Sequence, residues 1–229
     1  MKYWKAYERV VAKFMSEEYD PDEWTVIPNA HLTGYISKRK RQIDVLIDYR
    51  FDHKLERRII VDAKERKRAI DIKEVESFEG MMRDIGAHVG ILVSTNGYTK
   101  AAQNRAQQTI GLTIIQEDEI EKLNLSDWDY CYNCSNGLVL WDFYFGVEYN
   151  KLIYVQATGK CDVCGKFHIW CWSCGEKHVL EAEDTYQCNC KEPWFWVTSI
   201  EQEEDGTNMN YLFLVLGNGE YKIIDKKPI

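Results

Sequence analysis

Residues 59–67 read IIVDAKERK, and the reading of this stretch decides the fold. Ile59, Ile60 and Val61 have the β-branched, apolar character of a buried strand, yet the strand runs into Asp62 and Lys64 with no turn residue between. Side chains alternate along a strand, so Ile60, Asp62 and Lys64 share one face. Just upstream, RQIDVLIDYR (41–50) alternates as well: Ile43, Val45, Ile47 and Tyr49 face one way, and Gln42, Asp44, Leu46 and Asp48 the other. FDHKLE (51–56) supplies the turn between the two strands. The resulting antiparallel hairpin brings Asp44, Asp62 and Lys64 toward one end.

The flanking segments complete a mixed α/β domain. Tyr3, Trp4, Tyr7, Val10, Val11, Phe14 and Met15 form an apolar stripe at helical spacing, with Glu8 on its edge. Asp71 is placed to cap a helix whose apolar positions are Val75, Phe78, Met82 and Ile85. VGILVST (89–95) suits a strand buried on both faces, NGYTKAAQNRAQQT (96–109) gives a turn and a helix, and LTIIQ (112–116) a last strand. From Asp127 the character changes to short aromatic-rich β segments separated by cysteine pairs and Gly or Asn turns. The expectation is two domains, 1–122 and 126–229, the second all-β.

Two carboxylates on neighbouring strands form a hard oxygen site suited to Mg²⁺ or Mn²⁺, and an adjacent ammonium group can orient a metal-bound water or stabilise charge building on phosphorus. Asp44 in RQIDV, then Asp62-Ala63-Lys64 in IIVDAK, followed by GAHVGILVSTNGYTKAAQNRA (86–106), resemble the PD-(D/E)xK nuclease superfamily, and within it the Mrr-like restriction endonucleases. The resemblance covers about residues 1–116. It implies a restriction-endonuclease-like mixed-sheet core. Asp44, Asp62 and the Ala63 backbone carbonyl would hold the metal, Lys64 would serve the attacking water, and Glu8 would match the acidic residue many members carry on the first helix. Ile43 stands where many members have proline, and Asp62 where Glu or Gln is frequent.

The net charge of −8 conceals an asymmetry. Residues 1–115 hold 20 Lys and Arg against 17 Asp and Glu, whereas residues 116–229 hold 9 against 20. Basic clusters at Lys38–Arg41, Arg57-Arg58 and Arg66–Arg68 flank the hairpin and suit contact with a phosphate backbone. The N-terminus mixes charge among its apolar residues, so neither a signal peptide nor a membrane span is expected, and a cytoplasmic protein is.

In that reducing compartment eight cysteines call for metal before disulfides. Cys131/Cys134, Cys161/Cys164 and Cys171/Cys174 are CxxC pairs and Cys188/Cys190 is CxC, spacings that let two thiolates of each pair reach one tetrahedral Zn²⁺. Eight thiolates make two closed Cys₄ sites, so zinc is expected to be structural and the domain of zinc-ribbon type. Sequential pairing and a cross-braced pairing both fit the spacing. His168 and His178 lie nearby, but eight cysteines leave them no vacancy. Nineteen of the 30 aromatics lie at or beyond Trp128. Most must be core, leaving a minority to meet a modified base or a protein partner.

These readings together predict a metal-dependent DNA endonuclease, in restriction or phage defence. Cutting both strands with one site per chain requires a homodimer or two successive nicks. A noncatalytic DNA or protein binding module on the same fold, and a DNA repair or junction nuclease, are the competing expectations.

Overall fold

A computed structural model describes residues 3–107, 110–115, 129–190 and 192–229. The expected domain boundary at 122–126 lies outside these residues.

The first half begins with helix α1 (Tyr3–Glu18), followed by strands β1 (Trp24–Thr33), β2 (Lys40–Tyr49) and β3 (Ile59–Lys64). Helix α2 (Ile72–Asp84), strand β4 (Val89–Ser94), helix α3 (Lys100–Ala106) and strand β5 (Ile110–Ile114) complete it. The five strands form one sheet in chain order: β1, β2 and β3 run antiparallel, and β3, β4 and β5 parallel. Each parallel step needs a crossover, which α2 and α3 supply on one face. Val75, Phe78 and Met82 of α2 pack there on Leu46, Ile60 and Leu92. Tyr7, Val10, Val11 and Met15 of α1 cover the other face, on Val45, Ile47, Val61 and Val93. Asp71 caps α2 in a capping box with Glu74, as its sequence position predicts.

Three local features differ from the sequence reading. Strand β1 is additional: Pro28 and Asn29 interrupt its pattern, and proline is tolerated because β1 is the edge of the sheet. Ile43 does not share a face with Val45; it packs with Leu46 on the α2 side. The cause is a break in the ladder, where Pro28 pairs with Val45 and Ala30 with Ile43 but Asn29, in a left-handed conformation (φ 51°), lies across from Asp44. The last strand begins two residues earlier than expected, at Ile110, and Gln116 is outside the described residues.

The second half is all-β, as expected. Strands β6 (Val139–Tyr149), β7 (Leu152–Cys161), β8 (Phe167–Cys171) and β9 (Lys177–Leu180) form one antiparallel sheet. A second contains β10 (Thr185–Tyr186), β11 (Trp194–Gln202), β12 (Asn208–Leu216) and β13 (Tyr221–Pro228). Between them pack Phe143, Phe167, Ile169, Trp194, Trp196, Leu212 and Leu214, which accounts for much of the aromatic content.

The two halves meet through a buried charge network. Arg50, at the end of β2, reaches Asp142 at 3.1 Å and Asp225 at 3.1 Å. Lys160 contacts the same two carboxylates. Thr25 donates its hydroxyl to Asp225 at 2.6 Å, and Asp142 accepts the backbone N–H of Val26 on the outer strand β1 at 3.2 Å. An edge strand with open N–H groups invites wrong pairing, and here the second half covers it. Two cations facing two anions leave no net charge buried. Removing one carboxylate strands a cation, so Asp225→Ala is expected to cost about 3–5 kcal/mol. Thermal unfolding should show a midpoint lower by roughly 10 °C, and a shift under 2 °C would contradict the network's role.

Candidate active site and cysteine clusters

Strands β2 and β3 separate at their ends because backbone pairing stops at Val45 and Val61. Beyond that pair, the side chain of Asp44 takes the place of a backbone acceptor: its Oδ2 receives the N–H of Ala63 at 2.9 Å. Lys64 Nζ donates to Asp62 Oδ1 at 2.7 Å. Asp44, Asp62 and Lys64 line a cleft of about 730 Å³ together with Glu8 from α1 and residues of α2. All four sequence-derived candidates are therefore brought together.

The electrostatics fit a cation. Burial, reinforced by the charge of Asp62, pushes Asp44 up to about 7. Burial also raises Glu8, against the pull of Lys5 and with a further push from Asp62. Carboxylates desolvated side by side resist ionising together, and an added divalent ion relieves the conflict. The sign for the metal-free protein follows. A folded value near 7 against 3.8 unfolded gives stability that is complete below about pH 4 and lost as pH rises toward 7. Asp44→Asn removes this loss, so at pH 8 with chelator the variant should be more stable by about 2 kcal/mol, roughly 5 °C in midpoint. With Mg²⁺ present the order should reverse. Calorimetry at pH 8 with and without chelator checks both signs.

The basic residues divide. Arg58 is no phosphate ligand: it is buried, and its guanidinium binds Asp48 through two bonds of 3.1 and 3.0 Å. A guanidinium held bidentately inside the core has no donors left for a backbone outside. Arg57 lies over the rings of Trp24 and Tyr49. Arg41 lines the cleft but is bound to Asp84 at 2.6 Å, whose carboxyl is held well below its usual range by Ser37 and by Arg41 itself. Arg66 lines the cleft and is exposed.

The thiols gather into two groups, Cys131, Cys134, Cys161 and Cys164, then Cys171, Cys174, Cys188 and Cys190. The pairing is sequential, not cross-braced. Strand β8 is shared, since the β7–β8 turn carries Cys161 and Cys164 and the β8–β9 turn carries Cys171 and Cys174. Sulfurs of the first group stand 3.7 Å (Cys131–Cys164) and 3.6 Å (Cys134–Cys161) apart. Four thiolates about 2.3 Å from one Zn²⁺ would be separated by about 3.8 Å. Backbone N–H groups of Asn133 and Cys134 point at Cys131 Sγ, and those of Val163 and Cys164 at Cys161 Sγ. His168 belongs to neither group; burial pushes it down to about 4. Gly137 was not singled out from the sequence, although a Cβ there would stand 2.2 Å from Cys161 Sγ. The Asn136-Gly137 dipeptide just after a CxxC pair was the available signal.

A mixed sheet flanked by helices, with paired carboxylates and a lysine at diverging strand ends, defines a nuclease-type α/β domain. The chain belongs to the Mrr-type restriction endonuclease family, whose model (Mrr_cat, described as Restriction endonuclease) matches residues 3–124. A search of curated proteins finds no match. A solved structure titled "Crystal Structure of Protein of Unknown Function AF1548" is similar at 14% identity over 56% of this chain and 73% of that one. Its TM-score of 0.41 is too low to carry an argument. Among the described residues no helix is long and apolar enough to cross a membrane.

Proposed function

We propose that this protein is a divalent-metal-dependent DNA endonuclease acting in restriction or phage defence. The convergence of Asp44, Asp62 and Lys64 in one open cleft, with Asp44 and Asp62 in electrostatic conflict, carries this reading. Asp44, Asp62 and the Ala63 carbonyl would hold Mg²⁺ or Mn²⁺, with Glu8 at the cleft wall. A bound ion would supply a polarised phosphoryl oxygen and a more acidic water. Lys64 would orient the attacking water and offset negative charge developing on the phosphate. Asp44 also anchors β3 through the Ala63 N–H, so it would fix the distance between the two carboxylates. Arg66 and the exposed residues of Lys38–Lys40 would meet the DNA backbone, and binding should weaken with salt.

The two Cys₄ groups would each hold a structural Zn²⁺, since four thiolates leave no open position for chemistry. The acidic second half would serve a protein partner or a modified base in preference to the duplex backbone, and cutting of both strands would use a homodimer. The test is incubation of the purified chain with modified and unmodified plasmid, with Mg²⁺ or with chelator. Mg²⁺-dependent conversion of supercoiled DNA supports the reading. Binding of DNA without cutting on either plasmid sinks it and favours a noncatalytic module.

A further inference from the structure

Asp162 lies between two thiols of the first cysteine group, in Cys161-Asp162-Val163-Cys164, and is buried. Its Oδ2 pairs with Arg9 Nε at 2.6 Å. Its Oδ1 accepts the backbone N–H of Leu138 at 2.7 Å, and its backbone carbonyl accepts Asn29 Nδ2 at 3.1 Å. Arg9 also donates from Nη2 to the carbonyl of Asn136, in the loop that follows the first CxxC pair. Both halves of the first cysteine group are thereby fastened to the nuclease half.

The two residues they grip are neighbours of the acidic site. Arg9 follows Glu8 on α1, so holding its guanidinium fixes the rotation of the turn that presents the Glu8 carboxylate. Asn29 sits across from Asp44 at the break in the β1–β2 ladder. Its amide is divided, with Nδ2 on Asp162 and Oδ1 accepting from Gln42 Nε2 at 2.8 Å. A small cavity is lined jointly by Glu8, Arg9, Asn29, Asp44 and Asp162.

We infer that the first cysteine knuckle is a positioning element of the acidic site: Asp162, acting through Arg9 and Asn29, holds Glu8 and Asp44 in the arrangement that takes a divalent cation. The inference rests on the metal-site reading proposed above. Precise placement of ligand oxygens controls affinity for a small, hard ion, and partners that orient the ligands contribute about 10–100-fold. A purely structural tie between the halves would change stability and leave that affinity alone.

The test uses the full zinc-loaded chain and Mn²⁺ as the probe. Zinc content is measured by colorimetric release, and Mn²⁺ binding by calorimetry and by the loss of the free-ion resonance signal. Asp162→Asn keeps an oxygen for the Leu138 N–H but removes the charge facing Arg9. Asn29→Gly suits the left-handed backbone at that position and removes the amide link, so it remains informative should Asp162→Asn fold poorly. Both variants are expected to retain two zinc ions per chain and to bind Mn²⁺ at least fivefold more weakly, in binding that Asp62→Ala abolishes. Affinities within twofold of the wild type in both variants would overturn the positioning role. Absence of any Asp62-dependent Mn²⁺ binding by the wild type would instead overturn the metal-site reading, and this inference with it.

Discussion

Lys64→Ala is expected to lower the rate of plasmid cleavage by at least about 100-fold, in line with removal of a group that stabilises developing charge. The loss should not come from unfolding. The Lys64 side chain is partly exposed and makes a single ion pair, to Asp62, of a kind worth about 0–1 kcal/mol. Midpoints of thermal unfolding for the variant and wild type should therefore agree within a few degrees. Metal binding should persist as well, because deleting a cation beside two carboxylates makes their field more attractive to a divalent ion. The expected pattern is thus intact fold, intact Mn²⁺ affinity and lost cleavage. Cleavage within tenfold of the wild type would remove Lys64 from the proposed mechanism, whatever becomes of the carboxylates.

The second large effect is expected at the first cysteine group. Cys161 is fully buried, its Sγ faces Cys134 Sγ, and burial raises its thiol well above the ordinary range. Without a cation these four sulfurs are protonated groups crowded beside Gly137, where no Cβ would fit. A bound Zn²⁺ would convert that crowding into ligation, and structural zinc contributes about 10–16 kcal/mol in small domains. Cys161→Ser should reduce zinc from two ions per chain to one and lower the unfolding midpoint by at least about 10 °C. The damage should reach the nuclease half, because Leu140 of β6 packs into the core beneath α1. Zinc analysis with thermal unfolding checks the claim. Retention of two ions at an unchanged midpoint would refute it.

What the sequence by itself determined about this protein is the part that local periodicity and spacing carry. Alternation in 41–50 and 59–64 marks β2 and β3, helical spacing marks α1 and α2, and Asp71 marks the start of α2. Convergence of Asp44, Asp62 and Lys64 follows from the same alternation, since a hairpin leaves little freedom in where its strand ends meet. Cysteine spacing likewise announces two Cys₄ groups, because thiols two or three residues apart can share one tetrahedral ion.

Tertiary structure alone decided the rest. Strand β1 was hidden because Pro28 and Asn29 break its pattern, and only the finished sheet shows that edge position makes them tolerable. Arg58 reads as surface charge in the sequence, yet it is buried on Asp48, a partner ten residues away on the adjacent strand. The choice between sequential and cross-braced cysteines depended on which turns meet in space. The links from Asp162 to Arg9 and Asn29, and the network of Arg50, Lys160, Asp142 and Asp225, join residues more than 90 positions apart in the chain. Period and spacing are properties of short segments. The partner of a buried charge is selected by the whole packing, which must neutralise and hydrogen-bond whatever it removes from water.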